Sequence, residues 1–479
     1  MKVDVLIIGG GPSGLTAADE CLRHGRLPLV IEASLEWGGI ARTVKWQGHR
    51  VDIGGHRFFT KDETVEKRWQ EWLAADMIEV PRLSRIFYQG HFYSYPLKLV
   101  ETLKNFGLVG SVRAMLSYLR ARLVPVHPEV SFEDWVSNRF GWHLYRTFFK
   151  SYTEKVWGIP CTEIRADWAA QRIHGLSLGA AVLNSLSLKR NVRSLIKTFR
   201  YPRLGPGMMW ERVARSVTSR GGQTWTQSEA IELHHAHGKV TEVLILKEGQ
   251  TVGVEADEIV STMPLGHLIR ALRPQPPEEV LTASNNLKHR DFLIVTLAVR
   301  AQNLFPDNWL YIHDPQYKVG RVQNFRNWSV EMVGDPELST LGMEYFCSRG
   351  DSLWEMTDEE LIRLATEEMA SLGLAAADAV KNGMVIRQLN AYPVYDSTYA
   401  ENLAIVRRYL ETLTNLATVG RSGMHRYNNQ DHSMLSAMAA VQRMLGDPNA
   451  DPWAVNTERS GHEEQVLKSS VNTIVGVSP

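Results

Sequence analysis

Cysteine is scarce in this chain: three in 479 residues (Cys21, Cys161 and Cys347), none spaced from another as metal ligands are, which argues against both a disulfide framework and a zinc-type metal site. Net charge is missing as well. The 53 Lys and Arg balance the 53 Asp and Glu, so no global field favours nucleic acid, and anion recognition has to be local. No uncharged apolar run reaches the ~18–20 residues of a membrane span. The N-terminus enters a strand at once, without the charged start and cleavage site of a secretory leader. Repeats and low-complexity segments are absent. The expectation is a cytoplasmic protein with no metal, no nucleic-acid partner and no integral membrane segment.

What is present begins at the first residues. Val3 to Ile8 is an apolar run of strand length, Gly9-Gly10-Gly11-Pro12-Ser13-Gly14 follows, and Leu15 to Leu22 has helical spacing. A second strand, Leu29-Val30-Ile31, ends at Glu32. In this βαβ setting the three glycines of Gly9-x-Gly11-x-x-Gly14 serve a tight turn, close approach of backbone to a pyrophosphate, and close packing of helix on strand. Pro12 and Ser13 open the helix, whose N-terminus favours phosphate. Glu32 is placed to accept from ribose hydroxyls. The pattern serves NAD and FAD equally.

Further along, helical patterns cover Glu63–Ala75, Val112–Leu123, Phe132–Phe140 and Trp142–Lys150, after a hairpin over Arg85–Tyr95 that turns at Gln89-Gly90. Strands return at Val240–Leu246, Glu258–Met263, Phe292–Val299 and Trp309–Ile312. A helix covers Asp358–Leu372. The final step is Leu416–Gly420 into a helix beginning beyond His432 and running to about Leu445. The expected architecture is α/β: a doubly wound, Rossmann-like dinucleotide domain from residues 1–80, 205–265 and 385–450. A mainly helical insertion (81–204) and a smaller substrate-side sheet (266–384) complete it, with a peripheral tail at 451–479.

Three separated segments select the cofactor by resemblance. Trp37-Gly38-Gly39-Ile40-Ala41-Arg42-Thr43, directly after the Glu32 strand, resembles the extended FAD fingerprint of the amine oxidase, protoporphyrinogen oxidase and phytoene desaturase superfamily. Val419-Gly420-Arg421 looks like that superfamily's C-terminal FAD-binding strand. Together with the first glycine motif, these imply FAD. Within the superfamily the UDP-galactopyranose mutase branch matches in most places. Gly54-Gly55-His56-Arg57-Phe58-Phe59-Thr60, Arg85 to Leu97, and Ser151-Tyr152-Thr153-Glu154-Lys155-Val156-Trp157-Gly158 resemble its segments in order and approximate spacing.

That resemblance implies roles at the matching positions only. Gly55 and His56 would lie against the flavin, and Arg290 beside its N5. Asn429 would face its pyrimidine from the last helix. Tyr152, Trp157, Arg172, Tyr392, Arg421 and Tyr427 would contact a nucleoside-diphosphate sugar. The implied reaction is a pyranose–furanose interconversion in which reduced flavin N5 attacks the anomeric carbon. Each residue also has a plainer reading: Tyr and Trp as core, His56 as a satisfied buried histidine, Arg172 as an ion-pair partner of Asp167, and Asn428 to Ser433 as a helix cap.

Three departures bear on substrate: Phe59 stands where the mutases carry a second histidine, Arg426-Tyr427-Asn428-Asn429 stands in place of their Arg-Tyr-Leu-Asp, and the stretch from Asn308 through Arg321 and Arg326 to Trp328 has no recognised counterpart. The alternative is an FAD-dependent oxidoreductase of the protoporphyrinogen oxidase or desaturase type.

Overall fold

The N-terminal apolar run forms the strand Lys2–Ile8, and its last four residues are fully buried, as in a parallel strand covered on both faces. It pairs parallel with Pro28–Ile31 on one side, Leu6 opposite Leu29, and with Gln250–Ser261 on the other, Leu6 opposite Ile259. Gln223–Trp225 and Leu416–Thr418 add parallel strands at the two flanks. The first half of Gln250–Ser261 continues as an antiparallel ribbon with Lys239–Lys247 and Ser228–Ala236, and the two-residue strand Leu272–Arg273, parallel to the last of these, completes an eight-stranded sheet. This computed structural model describes residues 1–166 and 197–456, with 169, 194–195 and 464–465.

Helices Pro12–Arg23, Pro206–Ser219 and Gln430–Met444 cover one face of that sheet around Leu15, Trp69, Trp210, Val260 and Val419. Leu6, Leu29, Ile259, Leu268 and Val406 form the core on the other face. The doubly wound layer is therefore as expected. Each large apolar side chain so buried contributes roughly 1.5–3 kcal/mol against exposure. Gly14 sets how closely the first helix sits: a Cβ there would lie 1.9 Å from the Gly9 carbonyl oxygen.

The second sheet has seven strands, in the order Val380–Pro393, His289–Val299, Ser339–Cys347, Arg321–Asn324, Trp309–Ile312, Ser84–Tyr88 and His91–Ser94. Period-two alternation survives even where every residue is buried. Phe292 and Ile294 turn toward the helices Phe132–Phe140 and Ser151–Trp157, while Leu293, Val295 and Leu297 pack under the helix Asp358–Ser371.

Several local expectations change. The strand Val380–Pro393 straddles the expected boundary at 385, and the hairpin, turning at Gln89-Gly90, belongs to the second sheet rather than to a helical unit. The helix read from Val112 begins at Leu99, with a break at Gly107 (φ 65°). Trp142–Lys150 is one short helical turn widened into a π-helical stretch over Tyr145–Lys150. The last helix starts at Gln430, inside the polar run: Asn429 is extended (ψ 179°) and its N–H donates to His432 Nδ1 at 3.4 Å. Arg172 and Asp167 lie outside the described residues.

Candidate active site

Two glycine loops meet at the carboxyl ends of the parallel strands. The Gly9 N–H donates to Ile31 O at 2.8 Å and the Gly38 N–H to Gly10 O at 2.9 Å, so the second loop is bound to the first. Gly38 (φ 113°) and Gly39 (φ 54°) are left-handed, which glycine adopts without strain. A Cβ on Gly11 would stand 3.7 Å from Gly39 Cα, so the two loops face each other across bare backbone. From the third segment, Gly420 (φ 84°) approaches Ser13 so closely that a Cβ would fall 2.3 Å from its Oγ. A trough walled by backbone and headed by a helix N-terminus fits a pyrophosphate.

The acid of the motif is turned onto this loop. Glu32 Oε2 accepts from the Gly10 N–H at 2.7 Å, and its Oε1 accepts from the Ser34 N–H at 2.9 Å and the Ser34 hydroxyl at 2.8 Å. Arg42 donates to Gly39 O at 2.9 Å and to Gln388 Oε1 at 2.8 Å, with Glu36 at 3.4 Å; burial holds its pKa below the usual guanidinium value.

From the trough, Gly54-Gly55-His56 leads to a second chamber. A Cβ on Gly55 would meet Gln323 Nε2 at 3.0 Å, and one on Gly54 would sit 3.6 Å from Glu344 Oε1. His56 donates its Nε2–H to Ile53 O at 2.9 Å. Burial, with the nearby Arg421 and Arg321 charges, pushes its pKa down to about 4, so the imidazole is neutral at pH 7.

The chamber is built of tyrosines around two arginines. Tyr392 and Tyr427 stack, centroids 5.8 Å apart and planes at 18°. Arg421 lies over both rings, 4.2 Å from the Tyr427 centroid and 5.4 Å from that of Tyr392. It donates to Ala391 O at 3.3 Å, and its Nε is buried without a partner. Arg321 ion-pairs with Glu344 and donates to the Tyr392 hydroxyl at 2.8 Å. Burial opposes the Arg321 charge, but Glu344, Tyr392 and Tyr152 hold its pKa above the ordinary guanidinium value. Glu344 also accepts from Gln323 at 2.8 Å. Trp157 abuts Tyr392, Tyr395 and Tyr427 with centroids 6.0–6.4 Å away. Tyr152 stacks on His313 at 4.5 Å. The helix carrying Tyr152 and Trp157 is anchored by Lys155, whose ammonium donates to the carbonyls of Ile312, Asp314 and Val319.

His56, Tyr152, Trp157, Tyr392, Arg421 and Tyr427 are thus brought together beside the glycine trough. Asn429 stands just past this cluster, at the head of the last helix. Arg290 stands in register opposite Tyr392; its guanidinium donates to Ser348 Oγ at 2.7 Å and Phe346 O at 3.1 Å and pairs with Asp351 at 3.3 Å, while its Nε is buried without a partner. Gly158 lies against it, since a Cβ there would stand 2.5 Å from Arg290 Cζ. The sequence reading missed Glu344 and Gln323, and it named Tyr311, His313 and Arg321 without a role. One signal was available: Glu344 is the lone acid in the buried strand Ser339–Cys347, and a buried acid demands a partner.

Comparison with known proteins gives the context. Residues 12–414 match the profile of the flavin containing amine oxidoreductases. A probable UDP-galactopyranose mutase of Klebsiella pneumoniae is 27% identical over 169 residues, 34% of this chain and 43% of that protein, so the match covers under half of the curated relative. Among solved structures, a reduced UDP-galactopyranose mutase superposes with a TM-score of 0.84 at 20% identity, covering 96% of this chain and 97% of the other. A putative protoporphyrinogen oxidase from Exiguobacterium sp. 255-15 gives 0.70 at 15% identity, covering 92% and 98%.

Proposed function

The chain belongs to the flavin containing amine oxidoreductase family and is an FAD-dependent enzyme, and from that premise we propose that it acts on a nucleoside-diphosphate sugar, as a pyranose–furanose mutase. The observation that carries the proposal is the cation at the centre of the chamber. Arg421 has no carboxylate partner among the described residues, keeps a buried unpaired Nε, and lies against two stacked tyrosine rings next to the trough. An amine substrate would bring a like charge to it. A diphosphate supplies the opposite charge and planar acceptors for the fork.

The chain's residues divide the work. The trough of Gly11, Gly14 and Gly39 holds the FAD pyrophosphate, with Arg42 at its edge. Arg421 and Arg321 bind the substrate diphosphate, Arg321 sharing its charge with Glu344. Tyr392 and Tyr427 orient phosphate oxygens through their hydroxyls, and Tyr152 and Trp157 offer flat faces to base and sugar. Neutral His56 keeps a third positive charge out of the flavin's neighbourhood. FAD, when bound and reduced, supplies a nucleophilic N5.

A second reading, net oxidation of an amine or related donor, is favoured by the family profile itself. Titration of UDP and TDP into the oxidised holoprotein, followed by flavin absorbance, tests the proposal. Saturable binding of a nucleoside diphosphate supports it; no binding by either nucleotide removes its main support.

A further inference from the structure

The helix Leu99–Leu123 wears its apolar side chains on the outside. Leu108 (82% exposed), Val112, Met115, Leu116 (61%), Leu119 and Leu123 (81%) recur at helical spacing and form one outward stripe. The inward face is made of small residues: Ala114 and Ala121 are buried, and Gly141 packs so tightly that a Cβ on it would lie 2.7 Å from the Tyr118 backbone. This inverts the usual surface helix, whose apolar stripe faces the core. Single exposed leucines are ordinary; a contiguous stripe marks an interaction surface.

We propose that this face docks on the surface of a membrane containing anionic lipids. The choice of occupant rests on charge. Lys104, Arg113, Arg120 and Arg122 are exposed along the helix, and no Asp or Glu occurs between Glu101 and Glu129. A second copy seated on the face by two-fold symmetry would set this cationic strip against itself. Anionic headgroups neutralise it while the stripe enters the acyl boundary, as interfacial helices do. Among the described residues no helix is long and apolar enough to cross a membrane, so the contact is one of lying on the surface. Tyr95, just before the helix, has its ring 5.2 Å from Tyr311, which is 5.6 Å from Tyr152, so the docking face and the tyrosine chamber share the hairpin.

The test is flotation of the full-length holoprotein with vesicles of phosphatidylcholine alone or with about a quarter phosphatidylglycerol. Binding is expected to the anionic vesicles and to fall steeply in about 0.5 M salt. Replacing Arg113, Arg120 and Arg122 together by Gln should lower the partition by about a hundredfold, at roughly fivefold per cation. Leu116→Gln with Leu119→Gln should lower it at least about tenfold. All five side chains are exposed, and unchanged flavin content and melting temperature establish that the variants are folded. Absence of binding to the anionic vesicles overturns the proposal, as does equal binding by wild type and variants. A sedimentation-velocity dimer that the leucine variant dissociates, without vesicle binding, assigns the face to a second copy instead.

Discussion

Replacing Arg421 by alanine separates a ligand-binding cation from a structural one, because the two roles predict opposite pairs of readouts. In the free protein the side chain has weak support: ring contacts at 4.2 and 5.4 Å and one hydrogen bond of 3.3 Å to Ala391 O. The ring contacts amount to about 0.5–2 kcal/mol and the hydrogen bond to about 0.5–1.5 kcal/mol. Against that, the buried unpaired Nε costs about 1–3 kcal/mol, which the substitution relieves. The net is close to zero, and the melting temperature should move by no more than about 2 °C. Binding should respond differently. Charge-assisted hydrogen bonds to a diphosphate are each worth about 1.5–3 kcal/mol, so UDP should bind roughly 10- to 150-fold more weakly. Arg421→Lys keeps the charge, loses the fork and should recover only part of that affinity. The assay is UDP titration followed by flavin absorbance and calorimetry on the same samples, with flavin content measured because Gly420 adjoins the trough. Unchanged UDP affinity in fully loaded Arg421→Ala refutes the reasoning. So does a fall of many degrees in melting temperature, which would make Arg421 a structural support.

Gly14→Ala should leave the protein nearly free of FAD, since its methyl would stand 1.9 Å from the Gly9 oxygen; the released flavin after denaturation measures this. Glu344→Gln strands the Arg321 charge in the chamber, costing about 3 kcal/mol in urea denaturation, and excess UDP should restore part of that by supplying the missing negative charge. Burial depresses His313 to about 3 and His56 to about 4, below an unfolded value near 6.5. Their stability contribution is therefore present above pH 6.5 and lost as pH falls toward 4 and then 3. Asp52 and Asp431, raised to about 7, titrate with the opposite sign, so the informative quantity is a difference. The urea midpoint of His313→Phe should fall less than that of wild type between pH 6.5 and 4.

Much of the cofactor half was legible because its chemistry is local in sequence. Gly9, Gly11 and Gly14 sit on one turn that spacing identifies, and Gly38-Gly39, directly after the next strand, was legible through its resemblance to the extended FAD fingerprint. The chamber was legible only in part. Tyr152 and Trp157 share a helix, but Arg321 and Glu344 meet because the strands Arg321–Asn324 and Ser339–Cys347 pair antiparallel with those two residues directly opposite. That register is a property of the sheet, invisible in an apolar run. Glu32 was legible from spacing and Arg290 from resemblance, but their present partners, the Gly10 and Ser34 groups for Glu32 and Ser348, Phe346 and Asp351 for Arg290, come from loops and strands that neither signal reaches. Pro12 starts its helix as a proline at the first helical position, and Gln430 starts the last one behind the capping Asn429 with its extended backbone.

The central claim is that the chamber converts a nucleoside-diphosphate sugar without net redox change. Its most direct test is turnover of a panel of nucleoside-diphosphate hexoses by the chemically reduced holoenzyme under anaerobic conditions, with products resolved chromatographically. The account predicts pyranose–furanose interconversion of at least one of them, no stoichiometric consumption of reductant, and silence from the oxidised enzyme. Inactivity toward every nucleotide sugar, together with hydrogen peroxide released in step with an oxidised amine in air, would contradict it.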